Sequence, residues 1–253
     1  MVTIVVPCFN EARRIQGDRF RRLANDTAET VLFVNDGSTD NTLEILQQVV
    51  AADPVRLALM SLDRNSGKAE AVRQGLLRAV EANALIVGYI DADFSVPEVE
   101  VQRLLSILHA RPDLQGIIGS RVRLLGSDVN RSLPRHLMGR IFATVASCAL
   151  NQPVYDTQCG AKFFRVNSAL SISLSKPFVN RWSFDVELLG RLSLSPKSQA
   201  GSAAIIEEPL KSWCEIPGSK MSVFAGLRSV LSLLHLRRSL RRFAADLEAS
   251  REN

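Results

Sequence analysis

The sequence predicts an α/β fold: a Rossmann-like, mostly parallel central sheet flanked by helices, followed by a C-terminal amphipathic helix. Three observations predict it. Apolar, β-branched runs alternate with stretches of helical spacing through the first half, as in successive βαβ units. The run Ala84 to Ile90 is apolar at nearly every position, as in a strand covered on both faces, and it ends abruptly in Asp91-Ala92-Asp93. The 253 residues, 46% hydrophobic and 23% charged, suffice for one α/β unit of ordinary composition, and no linker divides them.

The elements follow in order. Strands are expected at Thr3–Val6, Val31–Asn35, Val55–Ser61, Ala84–Ile90 and Gly116–Ser120, where β-branched and aliphatic residues cluster between turn formers. Between them, Thr42–Ala51, Lys68–Glu81 and Glu98–Ala110 carry apolar residues at helical spacing. Asp40 or Asn41 and Ser95 stand near two helix starts, and Pro97 suits a first helical turn. The second half is less regular: helices are expected at Leu133–Leu150 and Phe184–Leu194, a short strand at Ala161–Val166, and a last apolar and basic helix from near Met221.

Charge and cysteines narrow the function. The net charge is +5 and the excess of base lies after Ser120, which suits acidic ligands or surfaces. Nucleic acid is not expected as a partner, because no basic patch is interleaved with aromatics and only 6% of residues are aromatic. Cys8, Cys148, Cys159 and Cys214 lack the Cys-x-x-Cys spacing of zinc or redox pairs, so they read as reduced thiols. The chain enters strand-like sequence at Val2, leaving no room for a secretion signal, and no apolar run reaches a membrane span, so a cytoplasmic location is expected.

Two carboxylates at the mouth of a buried strand suit a hard cation, and magnesium or manganese bound that way commonly shares a substrate's phosphates. Asp91 and Asp93 are therefore candidate ligands of Mg2+ or Mn2+ on a nucleotide-linked diphosphate, although a solvated turn also explains them. The loops after the first two strands, with Glu11 and Asp36, adjoin the same crevice and suit hydrogen bonds to a base or ribose; Asp36-Gly37-Ser38 is equally a common turn. Arg64-Asn65-Ser66-Gly67-Lys68 opens a helix, where free amides favour an anion and Lys68 adds charge, without the spacing of a P-loop. Arg121, Arg123, Arg131, Arg135 and Arg140, opposed by Asp128, form a strong positive field suited to phosphate.

Together Pro7-x-Phe9-Asn10-Glu11, Asn35-Asp36-Gly37-Ser38-x-Asp40, Asn65-x-Gly67-Lys68 and Asp91-Ala92-Asp93 resemble the GT-A catalytic domain of family 2 inverting glycosyltransferases in order and spacing. The resemblance implies that Pro7, Phe9, Glu11 and Asp36 hold a nucleoside and that Asp91-Ala92-Asp93 binds donor and metal. Asn35 departs from the pattern, which often has aspartate there. Asp156 to Phe164, Asn180 to Leu188 and Trp213 to Lys220 resemble dolichyl-phosphate β-glucosyltransferases and their polyprenyl-phosphate relatives. That likeness implies residues 1–220 as the transferase unit, with a nucleotide-sugar half (1–120) and an acceptor half (121–220), and 221–253 as a basic helix and tail.

It further implies Arg121 and Arg135, with Arg131 nearby, on a lipid phosphate, Asp156 at the acceptor, Lys220 on the phosphates, and Asp156, Asp185 and Arg121 as the catalytic set. For Asp185 a structural ion pair stands beside that reading. The expected reaction is inverting transfer of a hexose to a polyprenyl or dolichyl phosphate. UDP-glucose is favoured as donor over GDP-mannose, and a soluble or cell-envelope hydroxyl is the alternative acceptor. From Ile216 to Ala245 there is no acid, so the last helix suits either an anionic membrane surface or a core-docked position with a basic outer face.

Overall fold

The computed structural model describes residues 1–27, 29–130, 132–194, 204–216, 233 and 236–249. The strands β1 (Val2–Cys8), β2 (Thr30–Asp36), β3 (Leu57–Leu62) and β4 (Ile86–Ile90) pair parallel in the spatial order β3-β2-β1-β4. Next to β4 lies β7 (Ala161–Arg165), antiparallel both to β4 and to β5 (Leu114–Ser120) on its other side. The strand β8 (Ala204–Pro209) adds to β5 in parallel, completing a seven-stranded sheet. Residues from both halves of the sequence thus share one sheet. Separately, β6 (Asp128–Asn130) and β9 (Ser212–Cys214) form a short parallel pair.

Both faces of the sheet are covered, which is why its strands read as continuous apolar runs. Ile4, Val6, Phe33 and Ile90 face a core shared with α1 (Gly17–Thr27), α2 (Thr42–Ala51) and α4 (Glu98–Ala110). Val5, Leu32, Val34, Val87 and Tyr89 face the opposite core, built with α3 (Lys68–Glu81), α6 (Ser168–Leu174) and α7 (Phe184–Ser193). A third cluster joins Phe142 and Ala146 of α5 (Leu133–Leu150) to Val186 of α7 and Leu236 of α8 (Leu236–Ala249). Its apolar side turned inward, α8 buries Leu236 and Phe243 and leaves Arg237, Arg238, Arg241 and Arg242 exposed. That is the core-docked arrangement; the expected helix start near Met221 lies outside the described residues.

Several elements go beyond the sequence expectation. In α1 the core spacing is present as Phe20, Leu23 and Ala24, but Asp18, Arg19, Arg21, Arg22 and Asp26 outnumber it. Neither β6, β9 nor α6 is long enough to show a period. Among the described residues no helix is long and apolar enough to cross a membrane.

Candidate active site

Asp91 begins where β4 ends, its N–H donating to the carbonyl of Gly160 at 3.0 Å. Gly160 leads into β7, and a Cβ there would collide with the Asp91 carboxylate, so glycine is what lets the two segments close. Lys68, the first residue of α3, donates from Nζ to Asp91 Oδ1. Burial opposes the lysine's charge, but the Asp91 carboxylate, helped by Asp185 and Asp93, outweighs it and raises its pKa. Asp93 accepts the Ser95 N–H at 3.0 Å. Burial first and the neighbouring Asp91 second push its carboxyl upward, the state of a like-charge pair that a cation would relieve.

Around this pair the loops expected to flank the crevice do converge. Asn10, at φ 53°, receives Thr39 N–H on Oδ1 at 2.9 Å and donates its own N–H to Ser38 Oγ at 3.1 Å, locking the first loop to the second. Glu11 follows: its N–H donates to Thr42 Oγ1 at 2.8 Å, and its carboxylate takes both prongs of Arg14 at 2.6 Å. Arg14 Nη1 also stands 3.9 Å from Asp93 Oδ2. Sequence reasoning missed Arg14; its Glu11-x-x-Arg14 spacing on a turn was the available signal. Pro7 and Phe9 bracket the end of β1 beside these groups.

Asp36 is placed differently from expectation. Its carboxylate accepts the N–H groups of Ser66 at 2.7 Å and Gly67 at 2.8 Å, so the anion at the start of α3 is the chain's own. Burial raises its pKa, and the two amide hydrogen bonds only partly oppose that. Gly37, at φ 61°, permits this junction, since a Cβ there would meet the backbone of Arg64 and Asn65 at 2.5–2.6 Å.

A second group lies at the carboxyl end of β5. Arg121 clasps Asp156 through Nε at 2.6 Å and Nη2 at 2.7 Å, and its backbone N–H adds a third bond at 3.0 Å. Burial opposes the guanidinium charge, but the Asp156 carboxylate more than offsets it, and the pKa of Arg121 rises. Glu207 of β8 accepts the N–H groups of Tyr155 and Asp156 at 2.7 Å each and so fixes the loop. Next in sequence to the pair, Ser120 Oγ and Thr157 Oγ1 are buried with no hydrogen-bond partner among the described residues.

Asp185, in the first turn of α7, accepts hydrogen bonds from the Tyr89 hydroxyl and from Lys162 Nζ, the latter at 2.7 Å. Lys162 is 1% exposed and donates also to the Cys159 carbonyl at 2.5 Å. Asp185 thus sits in a buried network behind the metal candidates, and sequence reasoning did not single out Tyr89 or Lys162. Arg135 falls in the first turn of α5, its side chain outside the description; Arg131 and Lys220 lie outside the described residues altogether.

The carboxylates fit a divalent cation in chemistry and number. Asp91 and Asp93 offer hard oxygen ligands, and no cluster of three or more His, Cys, Asp or Glu suited to a metal occurs among the described residues. Two protein carboxylates completed by a substrate's phosphates is the usual magnesium or manganese arrangement.

The likenesses to known proteins agree with this geometry. The model of the family described as Glycosyl transferase family 2 matches residues 3–171. The chain is similar to dolichyl-phosphate beta-glucosyltransferase of Drosophila melanogaster, 32% identical over 241 residues covering 88% of this chain and 70% of that protein. It is 31% identical to the Homo sapiens enzyme of that name over 238 residues, with the same coverage of each chain. Among solved structures, glucosyl-3-phosphoglycerate synthase from Mycobacterium tuberculosis, crystallised with Mn2+, UDP and glucosyl-3-phosphoglycerate, shares the fold at TM-score 0.63 and 17% identity, over 94% of this chain and 79% of that one. Since the match begins in β1 and runs through the Asp91–Asp93 and Asp156 loops into α6, the chain belongs to glycosyl transferase family 2 and is a glycosyltransferase with the GT-A fold.

Proposed function

We propose that the protein transfers glucose, with inversion, from UDP-glucose to a polyprenyl or dolichyl phosphate. The observation that carries this reading is the pairing of two groups along one sheet edge: the Asp91–Asp93 carboxylates after β4, and the half-buried Arg121 clasping buried Asp156 after β5. Likeness to the dolichyl-phosphate beta-glucosyltransferases supports both the sugar and the acceptor. Pro7, Phe9 and Glu11 take the nucleoside, and Asp36 supports that site through Ser66 and Gly67. Asp91 and Asp93 would hold Mg2+ or Mn2+, which when bound neutralises charge developing on the departing diphosphate. Lys68 contributes a further positive charge there.

At the acceptor end, Arg121 with Arg131 and Arg135 attracts the phosphate, and Lys220 adds positive charge for the phosphates, a role supported by the likeness alone. The unpartnered hydroxyls of Ser120 and Thr157 supply donors for an anion. A phosphate oxygen attacks the anomeric carbon from the face opposite the diphosphate. The new carbon–oxygen bond forms as the old one breaks, its electron pair leaving on UDP. A phosphate monoester, with a second pKa of about 6, is mostly dianionic at neutral pH, so no side chain has to remove a proton. Asp156 and Asp185 then act by holding Arg121 and Lys162 rather than as bases.

The test is a transfer assay with labelled UDP-glucose or GDP-mannose, Mn2+ and a polyprenyl phosphate. Glucose in a lipid-extractable, phosphate-linked product supports the reading. Label passing only to water or to a hydroxyl acceptor overturns it.

A further inference from the structure

Of the stretch Asn180 to Leu188, the reaction above uses only Asp185. The chain entering that stretch is held by a buried ion pair. Glu187, 0% exposed, accepts the N–H groups of Val179 at 3.0 Å and Asn180 at 3.2 Å and pairs with Arg191 Nη2 at 2.8 Å. Arg191, 3% exposed, donates in turn to the carbonyls of Ser173, Lys176 and Pro177 at 3.0, 2.6 and 2.8 Å. A buried ion pair adds little net stability but is costly to break. What this one provides is a fixed path for residues 173–180.

That path delivers Arg181. Its stem lies along Gly67, the residue before α3: a Cβ placed on Gly67 would stand 3.6 Å from Arg181 Cδ and 3.7 Å from Cγ, ordinary van der Waals contact. Arg181 is exposed and makes no hydrogen bond or ion pair among the described residues. Asn180 Nδ2, beside it in sequence, is buried and equally without a partner there. Arg181 acts from a distance on Asp36, whose carboxyl is raised mainly by burial, with the amides of Ser66 and Gly67 and then the Arg181 charge working the other way. Asp36 already accepts from those two amides, so the guanidinium keeps its donors for another acceptor.

The neighbours of Arg181 say what that acceptor is. On one side Gly67 leads into Lys68, which donates to Asp91. On the other, Asp185 takes the hydroxyl of Tyr89, two residues before Asp91. Arg181 is thus tethered between Asp36, which supports the nucleoside end, and the Asp91–Asp93 carboxylates. In a nucleotide-sugar the group joining nucleoside to sugar is a diphosphate, and a guanidinium offers phosphate oxygens a planar fork of donors. Lys68 is engaged by Asp91; Arg181 has no such claim on it.

We propose that Arg181 binds the diphosphate of the nucleotide-sugar donor, opposite the carboxylates that follow β4. This rests on the nucleotide-sugar reading above and adds to it a donor-binding residue from the acceptor half of the sequence.

The experiment titrates the full chain, with Mn2+ present, calorimetrically with UDP and by ligand-observed NMR with uridine. Arg181→Ala is expected to weaken UDP at least about tenfold, as loss of charge-assisted hydrogen bonds demands, and to leave uridine unchanged. Arg181→Lys, which keeps the charge and loses the fork, is expected to recover part of that affinity. Thermal melting of both variants is expected to match wild type, because the position is exposed. An Arg181→Ala chain that binds UDP like wild type overturns the proposal. So does equal weakening of UDP and uridine, which would assign Arg181 to the nucleoside. Parallel titrations with GDP and guanosine separate the proposal from the donor reading: a wild type that takes GDP and not UDP overturns the uridine preference alone, and an Arg181→Ala loss confined to GDP then supports the proposal. A wild type that binds UDP through Arg181 yet transfers no glucose to polyprenyl phosphate overturns the acceptor reading alone. One that binds neither diphosphate overturns both.

Discussion

Single carboxylates show how far residue type alone predicts chemistry. Asp91 and Asp93 were legible from position, two acids closing a buried strand, and the structure finds them at that strand's mouth with Lys68 and Arg14 drawn to them. Asp91→Asn or Asp93→Asn is expected to cut metal-dependent release of UDP by about 100-fold or more, from lost electrostatic stabilisation of the leaving group, with melting temperature little changed; turnover near wild type would remove them from the site. Asp156 was legible as an acid in a specific motif, but not as the partner of Arg121, because a contact across 35 residues leaves no local trace. If it holds Arg121 instead of removing a proton, Asp156→Asn slows transfer by a similar factor at every pH and leaves the shape of the pH–rate profile intact. Loss of a limb governed by one ionisation would instead identify a base. Tyr89 and Lys162 were illegible for the same reason, each meeting Asp185 from another segment, whereas Arg14 pairs locally with Glu11 and only its approach to Asp93 crosses segments.

At the scale of elements, periodicity found the strands and helices that bury a long face and missed those that do not. Helix α1 is held by Phe20 against Phe33 and Phe94, with ring centroids 4.9 and 4.4 Å apart, and by Arg19, which pairs with Glu98 at the start of α4 and lies 4.1 Å over the Phe94 ring. The hydrogen bond from Arg19 is the main cause of the lowered pKa of Glu98, ordinarily 4.5, with burial opposing it. A depressed carboxyl stabilises fully above its unfolded value and ceases to do so as pH falls through its folded value. Glu98→Gln is therefore expected to cost about 1 kcal/mol at pH 7 and progressively less as the solution is acidified below the ordinary carboxylate range. Chemical denaturation at several pH values measures this, and a cost that persists in acid would refute the pairing. The edge strand β8 supplies Glu207, which holds the loop of Asp156, so an element without a clear sequence signature still fixes the backbone that carries the Arg121 partner.

For the molecule as a whole, the Asp91–Asp93 and Arg121–Asp156 groups follow the carboxyl ends of β4 and β5 in one sheet, so ligand binding there should be felt by the entire fold. UDP-glucose with Mn2+, at about 100 times its dissociation constant, is expected to add roughly 2.7 kcal/mol of stability and raise the melting temperature by about 5 °C or more. GDP-mannose should add less, and equal shifts with both donors would argue against the uridine preference. Alternating apolar runs and helical spacing determined the α/β class, because burying a parallel sheet on both faces dictates which residues its strands contain. Local motifs likewise determined the candidate metal carboxylates and the loops around them, since a strand end followed by a turn is specified by neighbours in sequence. What only the tertiary structure decided is the pairing between distant segments: Asp36 with the amides of Ser66 and Gly67, Arg121 with Asp156, Asp185 with Lys162, and β7 reversed between β4 and β5. It also decided that α8 turns its apolar face inward while α5 leaves a stripe outside. The two helices read alike as apolar and basic sequence, and which face meets solvent depends on what the rest of the chain packs against it.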